Sequence, residues 1–171
     1  MKRKRLKFIL VLLLLSLPLI FACRKISDNF VSYPTDEILE KNFHLNKVDF
    51  NKLIKKFQED SNLLRVNEQD QVRDSLGNKA NLSPSRLSEY KRLFSKLKVQ
   101  QINRVEYDRS IFIRVWGIPN FFIGGKSKYC VFTETPPPNL ETSLDDIYKS
   151  GRDANEFKRI GENWYLYLDV W

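Results

Sequence analysis

The feature that most limits this chain is a segment at its start that a folded core has no use for. Phe8 to Ala22 runs fifteen residues without a charge, rich in Leu, behind a head carrying Lys2, Arg3, Lys4, Arg5 and Lys7. A basic head, an apolar middle and a small residue at the end are the marks of a secretory signal peptide. Pro18 interrupts the apolar run. A bilayer span usually takes about 20 apolar residues, so an uncleaved anchor is the weaker alternative. The folded part must be built from the residues after Ala22.

The end of that segment, Ile20-Phe21-Ala22-Cys23, resembles the lipobox of bacterial lipoproteins. The resemblance implies cleavage between Ala22 and Cys23, lipid on the Cys23 thiol and acylation of the new amino terminus. The alternative is an ordinary signal peptide with a chance Cys. In lipoproteins of Gram-negative bacteria, Asp directly after the lipidated Cys marks inner-membrane retention. Arg24 stands there, so the resemblance implies an outer-membrane anchor with the domain facing the periplasm.

Removing residues 1–22 changes the charge argument. The whole chain carries 29 basic and 21 acidic residues. Five basic and no acidic residues leave with the signal, so 24 against 21 remain and the net charge falls from +8 to +3. Bulk basicity then gives little support to nucleic-acid binding. The remaining 149 residues suit one domain with its own core. With Cys23 lipidated, Cys130 has no partner in the chain, which excludes an intrachain disulfide framework. A buried structural thiol is the simple expectation for Cys130. A disulfide between chains would need it exposed.

The chain divides into three regions: signal peptide 1–22, lipidated Cys and tether 23–35, and one domain over 36–171. The tether residues Arg24 to Thr35 would reach roughly 40 Å extended. Thr35-Asp36-Glu37 suits the start of a short helix carrying Ile38 and Leu39. Phe50, Leu53, Ile54 and Phe57 recur at helical spacing and predict an amphipathic helix over Val48 to Asp60. Leu63 to Val66 suits a short strand, and residues 67–81 form a polar stretch with a Gly77-Asn78 turn. Ser83-Pro84 predicts a second helix, striped by Leu87, Tyr90, Leu93, Phe94 and Leu97.

After Lys98 the period becomes two. Ile102 to Tyr107, Ile111 to Trp116, Lys128 to Thr133 and Asn163 to Trp171 are strand-like, and Leu144 to Tyr148 suits one helical turn. The triple proline Pro136 to Pro138 ends a strand. Helices first and strands later predict an α+β domain, with two main helices packed on an antiparallel sheet of about four to five strands. Residues 82–171 resemble small uncharacterised lipoproteins of Gram-negative bacteria. The resemblance rests on Ser83-Pro84-Ser85-Arg86-Leu87, Lys126-Ser127-Lys128-Tyr129, the triple proline and Asn163-Trp164-Tyr165-Leu166-Tyr167, and it implies no activity.

The catalytic vocabulary is thin. Asn120 to Ser127 nearly matches a phosphate loop, but the first Gly is Asn120 and a strand-like segment comes next where a helix is needed, so a hairpin turn is expected. His44 is the only histidine and has no nearby Cys, which argues against both a nucleophilic triad and a zinc site. No metal or cofactor is expected. Asp36-Glu37, Glu59-Asp60 and Asp145-Asp146 suit helix-start charges or solvated loops. The last strand puts Trp164, Leu166, Leu168 and Val170 on one face, and Tyr165, Tyr167 and Trp171 on the other. Those three are either core, the simpler reading, or an exposed contact patch for a partner. The basic face of the second helix is a solvated face or one drawn to anionic headgroups or an acidic partner.

Two functions fit this sequence. The first is a membrane-anchored, non-catalytic interaction protein in the periplasm, of which an immunity lipoprotein blocking an incoming toxin is one version. The alternative is an envelope enzyme acting on glycan through carboxylates such as Glu134, Asp145 and Asp146.

Overall fold

The computed structural model describes residues 33–105, 109–118 and 125–171. Residues 34–171 form one compact α+β unit. The signal, Ala22, Cys23 and most of the tether lie outside the described residues, as do Tyr107 and Phe121 to Gly124.

The first helix, α1 (Asp36–Glu59), joins the two helical segments expected from sequence. Thr35 caps it by accepting from the Ile38 amide, and Asp36 and Glu37 place acid in the first turn. Asn46 departs from helical geometry (φ −118°, ψ 18°). Its side-chain amide donates to the Asn42 carbonyl (3.0 Å) and to Asn42 Oδ1 (2.8 Å), the local competition with backbone bonding that bends helices at Asn. The hydrophobic period is interrupted here because the turns between buried Phe43 and buried Phe50 place Asn46 and Lys47 at the inward positions of the repeat, while apolar Leu45 and Val48 are exposed.

The second helix, α2 (Pro84–Leu97), matches expectation. Ser83 accepts from the Arg86 amide, Pro84 opens the first turn, and left-handed Lys98 ends the helix. Tyr90, Leu93, Phe94 and Leu97 are buried. A third helix, α3 (Leu144–Ser150), is capped by Ser143 and closed by Gly151 at φ 70°. It corrects the expectation of two main helices.

Among the described residues the sheet has seven antiparallel strands, not four to five. They are β1 (Leu63–Asn67), β2 (Val72–Asp74), β3 (Gln101–Arg104), β4 (Ile111–Ile118), β5 (Lys126–Phe132), β6 (Ala154–Arg159) and β7 (Trp164–Val170), in the order β2-β1-β3-β4-β5-β7-β6. The two strands not expected from sequence, β2 and β6, are the edges. Edge strands are short or charged because that discourages pairing with other chains, and the same property hides them from a hydrophobic period.

Pairing register sorts the side chains into two faces. Val66, Ile102, Ile113, Cys130 and Leu166 align across the sheet on the inner face. The inner side of the core is aromatic: Trp164 meets Phe43 of α1 at 5.0 Å, Phe50 at 5.7 Å and Phe132 at 5.4 Å between ring centroids. Arg86 ties α2 to the end of α1, reaching Asp60 (2.9 Å), Glu59 (3.0 Å) and the Lys56 carbonyl (3.0 Å). Asp60 also accepts from the Tyr90 hydroxyl at 2.7 Å, and burial and that bond push the phenol well above its usual range.

Candidate functional site

Two polar constellations stand out, one inside the protein and one on the sheet's open face. The internal one centres on Lys128 of β5, whose side chain is fully buried. Its ammonium lies 2.5 Å from Asp36 Oδ1 and donates to Asp145 Oδ1 (2.9 Å) and the Pro34 carbonyl (3.2 Å). The acids are held in turn: Asp145 accepts from the Asp36 amide at 2.9 and 3.1 Å, and Asp36 Oδ2 accepts from the Leu144 amide at 2.8 Å. Lys158 of β6 extends the chain of charges to Asp36 (3.4 Å) and Glu40 (2.6 Å). Burial works against the charge on Lys158, but Glu40 and Asp36 outweigh it and raise the lysine above its ordinary value.

Asp36 and Asp145 are helix-start charges, as expected, and the cluster gives them a second role. Both clamp a buried cation. The cluster also bears on the glycan-enzyme alternative. Asp145 is occupied by Lys128, Asp146 is exposed beside Lys149, and Glu134 is exposed. One of the three is clamped inside and two stand in solvent. His44 is exposed, its ring edge-on to Phe43. β5 begins at Lys126, so a strand continues from the Gly125-Lys126-Ser127 segment as expected.

On the outer face, register aligns Arg65, Asn103, Phe112, Val131 and Tyr165 in one row. The next row is Asn67, Gln101, Arg114, Tyr129, Tyr167 and Phe157. Four half-buried rings touch there: Phe112–Tyr129 at 5.8 Å, Phe112–Tyr167 at 5.4 Å, Tyr129–Tyr167 at 5.8 Å and Phe157–Tyr167 at 4.5 Å. The Tyr167 hydroxyl donates to Asn155 Oδ1 at 2.7 Å, and burial, with Asp169 and Tyr129 nearby, pushes its phenol up to about 12.

Beside the rings is a polar cleft of about 380 Å³ lined by Arg65, Asn67, Gln71, Gln101 and Arg114 among others. The Arg114 guanidinium donates to Gln101 Oε1 at 3.3 Å. The Nε atoms of Arg65 and Arg114 are buried without a hydrogen-bond partner. Burial raises the nearby Asp169 carboxyl above its ordinary value, against the pull of Arg114. Arginine, amide and aromatic groups side by side suit carboxylates and peptide surfaces, since guanidinium pairs with carboxylate in a bidentate fork.

The three residues singled out from the last strand do not form one patch. Tyr165 stands in the first outer-face row but is only 1% exposed, so it is covered there and offers no contact surface. Tyr167 is at the centre of the ring cluster. Trp171 is 69% exposed, and its indole lies against the backbone of Gly125, where a Cβ would come within 3.0 Å of it. Alternation separates the faces correctly but cannot rank exposure along one face. Phe112, Tyr129, Phe157, Arg65 and Arg114 join Tyr167 only through cross-strand register, which no local pattern carries.

Cys130 lies on the inner face, 1% exposed, and burial pushes its thiol up to about 12, with Lys128 opposing. The native protein at pH 8 should therefore leave Cys130 unmodified by a maleimide, with full reaction only after denaturation. Rapid labelling of the folded protein at residue 130 would contradict this packing.

No family model, curated protein or solved structure matches this chain.

Proposed function

We propose that this is a bacterial lipoprotein, anchored through Cys23 and facing the periplasm, whose domain binds a protein partner through the outer face of its sheet. The outer membrane is the favoured anchor. The observation that carries the binding role is the joining of four partly exposed rings to the Arg65–Arg114 cleft on one face. Interfaces favour this composition: aromatic and arginine side chains dominate binding energy where they are rigidly held. Two arginines lining one cleft favour a partner that presents carboxylates. An immunity protein against an incoming toxin is one form this role takes.

Two measurements test the two halves. Cys23→Ser should abolish incorporation of labelled fatty acid and leave an uncut or released chain; normal processing and attachment would refute the anchor. For the domain, a partner recovered with the detergent-solubilised protein should be lost on Tyr167→Ala and weakened by Arg114→Ala. Both variants must keep the native thermal transition. Retention of the partner by both variants would remove this face as the binding surface.

A further inference from the structure

The outward side of α1 carries a pattern that its core packing does not explain. Ile38, Lys41, Leu45, Val48, Lys52 and Lys55 succeed one another at spacings of three and four, and all are exposed. Such spacing lines up one side of a helix. Ile38 is 59%, Leu45 75% and Val48 67% exposed, half of the large hydrophobic side chains left open among the described residues. Buried Leu39, Phe43, Phe50, Leu53, Ile54 and Phe57 occupy the other side. The stripe therefore points away from the sheet.

Its exposed charges are lysines. Lys52 lies 3.8 Å from Asp49, a pair that Lys96 dominates at 2.6 Å. Asp49 is the acid within the stripe and is taken up by Lys96 of α2; Glu37 in the first turn and Glu59, which pairs with Arg86, stand at its ends. Beyond the stripe, a shallow groove of about 350 Å³ between α1 and α2 adds Arg92 next to Lys52 and Lys55; its two acids, Glu59 and Glu89, are paired with Arg86 and Lys56. Apolar side chains interleaved with lysines on one helical face suit the boundary between headgroups and acyl chains of an anionic bilayer.

We infer that α1 lies along the anionic membrane surface, with Leu45 and Val48 at the acyl boundary and Lys41, Lys52, Lys55 and Arg92 among the lipid phosphates. This inference rests on the lipid anchor proposed at Cys23. The tether joins α1 at its first turn, so the anchor would deliver this helix to the surface before any other element. A domain seated this way turns the outer face of its sheet away from the bilayer, open to a partner.

The test uses the full lipidated protein in vesicles of phosphatidylcholine alone or mixed with phosphatidylglycerol. Leu45→Cys carries a polarity-sensitive fluorophore; Cys130 is buried and the anchored Cys23 is blocked. The probe's emission should shift to shorter wavelength only on the anionic vesicles, and high salt should reduce the shift. The triple variant Lys41→Glu, Lys52→Glu, Lys55→Glu should lose it. The same probe at Asn155, exposed on the outer face, should show none. Protein that floats with vesicles but gives no shift at residue 45, or an equal shift on neutral lipid, overturns the inference and leaves the anchor standing. Protein that fails to float and labels at Cys23 overturns the anchor, and this inference with it.

Discussion

Lys128→Met should cost about 3–5 kcal/mol of folding stability, the usual penalty for removing one partner of a buried ion pair. Typical domains have about 5–15 kcal/mol in total, so the variant should be near the limit of folding at physiological temperature. Methionine keeps the length and apolar stem of lysine, which isolates the charge as the cause. Asp36, 4% exposed, would lose the ammonium 2.5 Å away and keep Lys158 at 3.4 Å and the Leu144 amide at 2.8 Å. Asp145 is less enclosed, with 17% of its side chain accessible, so water relieves part of its loss. Pairing Lys128→Met with Asp36→Asn removes the orphan charge as well. The double variant should be more stable than the sum of the two single losses, with a coupling above about 1 kcal/mol. Urea denaturation measures all three. A single-variant loss below about 1 kcal/mol would mean that the cluster does not hold the fold together.

The same cluster shows what the sequence could not reveal. Lys128 sits in Lys126-Ser127-Lys128-Tyr129, where a lysine ordinarily points to solvent. Its strand alternates correctly, and alternation assigns Lys128 to the face of Cys130. The inference of burial needs the further fact that two helix starts, Asp36 and Asp145, 109 residues apart in the chain, meet over that strand. Charge pairs closed by tertiary contact leave no local trace. Helix-start acids in particular have a sufficient local explanation in the macrodipole, and that explanation masks a second role.

Features with a local cause are legible in the sequence. Ser83-Pro84 marks the start of α2, the alternation over Asn163 to Trp171 marks β7, and the thiol of Cys130 is buried as its neighbours Tyr129 and Val131 suggest. The features that escape it share a cause. The strands β2 and β6 are edges whose exposure weakens the hydrophobic period. Helix α1 reads as two pieces because Asn46 bends it and two apolar residues face outward beside the bend. On the outer face, Tyr167 is identifiable from its own strand. Its companions Phe112, Tyr129 and Arg114 come from β4 and β5 and are brought beside it by register alone.

Trp164→Ala should produce the other large loss, about 3–5 kcal/mol, as expected when a buried aromatic is cut back to Ala and leaves a cavity. The two tryptophans of the final segment make a direct comparison. Trp164 is 3% exposed and Trp171 69% exposed, so Trp171→Ala should change stability by no more than about 0.5 kcal/mol. The position of Trp164 explains why its loss should spread. Phe43 and Phe50 stand on opposite sides of the Asn46 bend, and Trp164 touches both rings, while Phe132 holds it from β5. It therefore fixes the two halves of α1 to the same point of the sheet. Removing it should lower amide-exchange protection in both halves of the helix, whereas α2, whose buried side is tied through Arg86 and Asp60 instead, should keep more of its own. Trp164→Phe retains a ring between Phe43 and Phe50 and should lose distinctly less stability than Ala. If exchange rises in only one half of α1, the bend is held by the Asn42–Asn46 bonds and not by the indole beneath it.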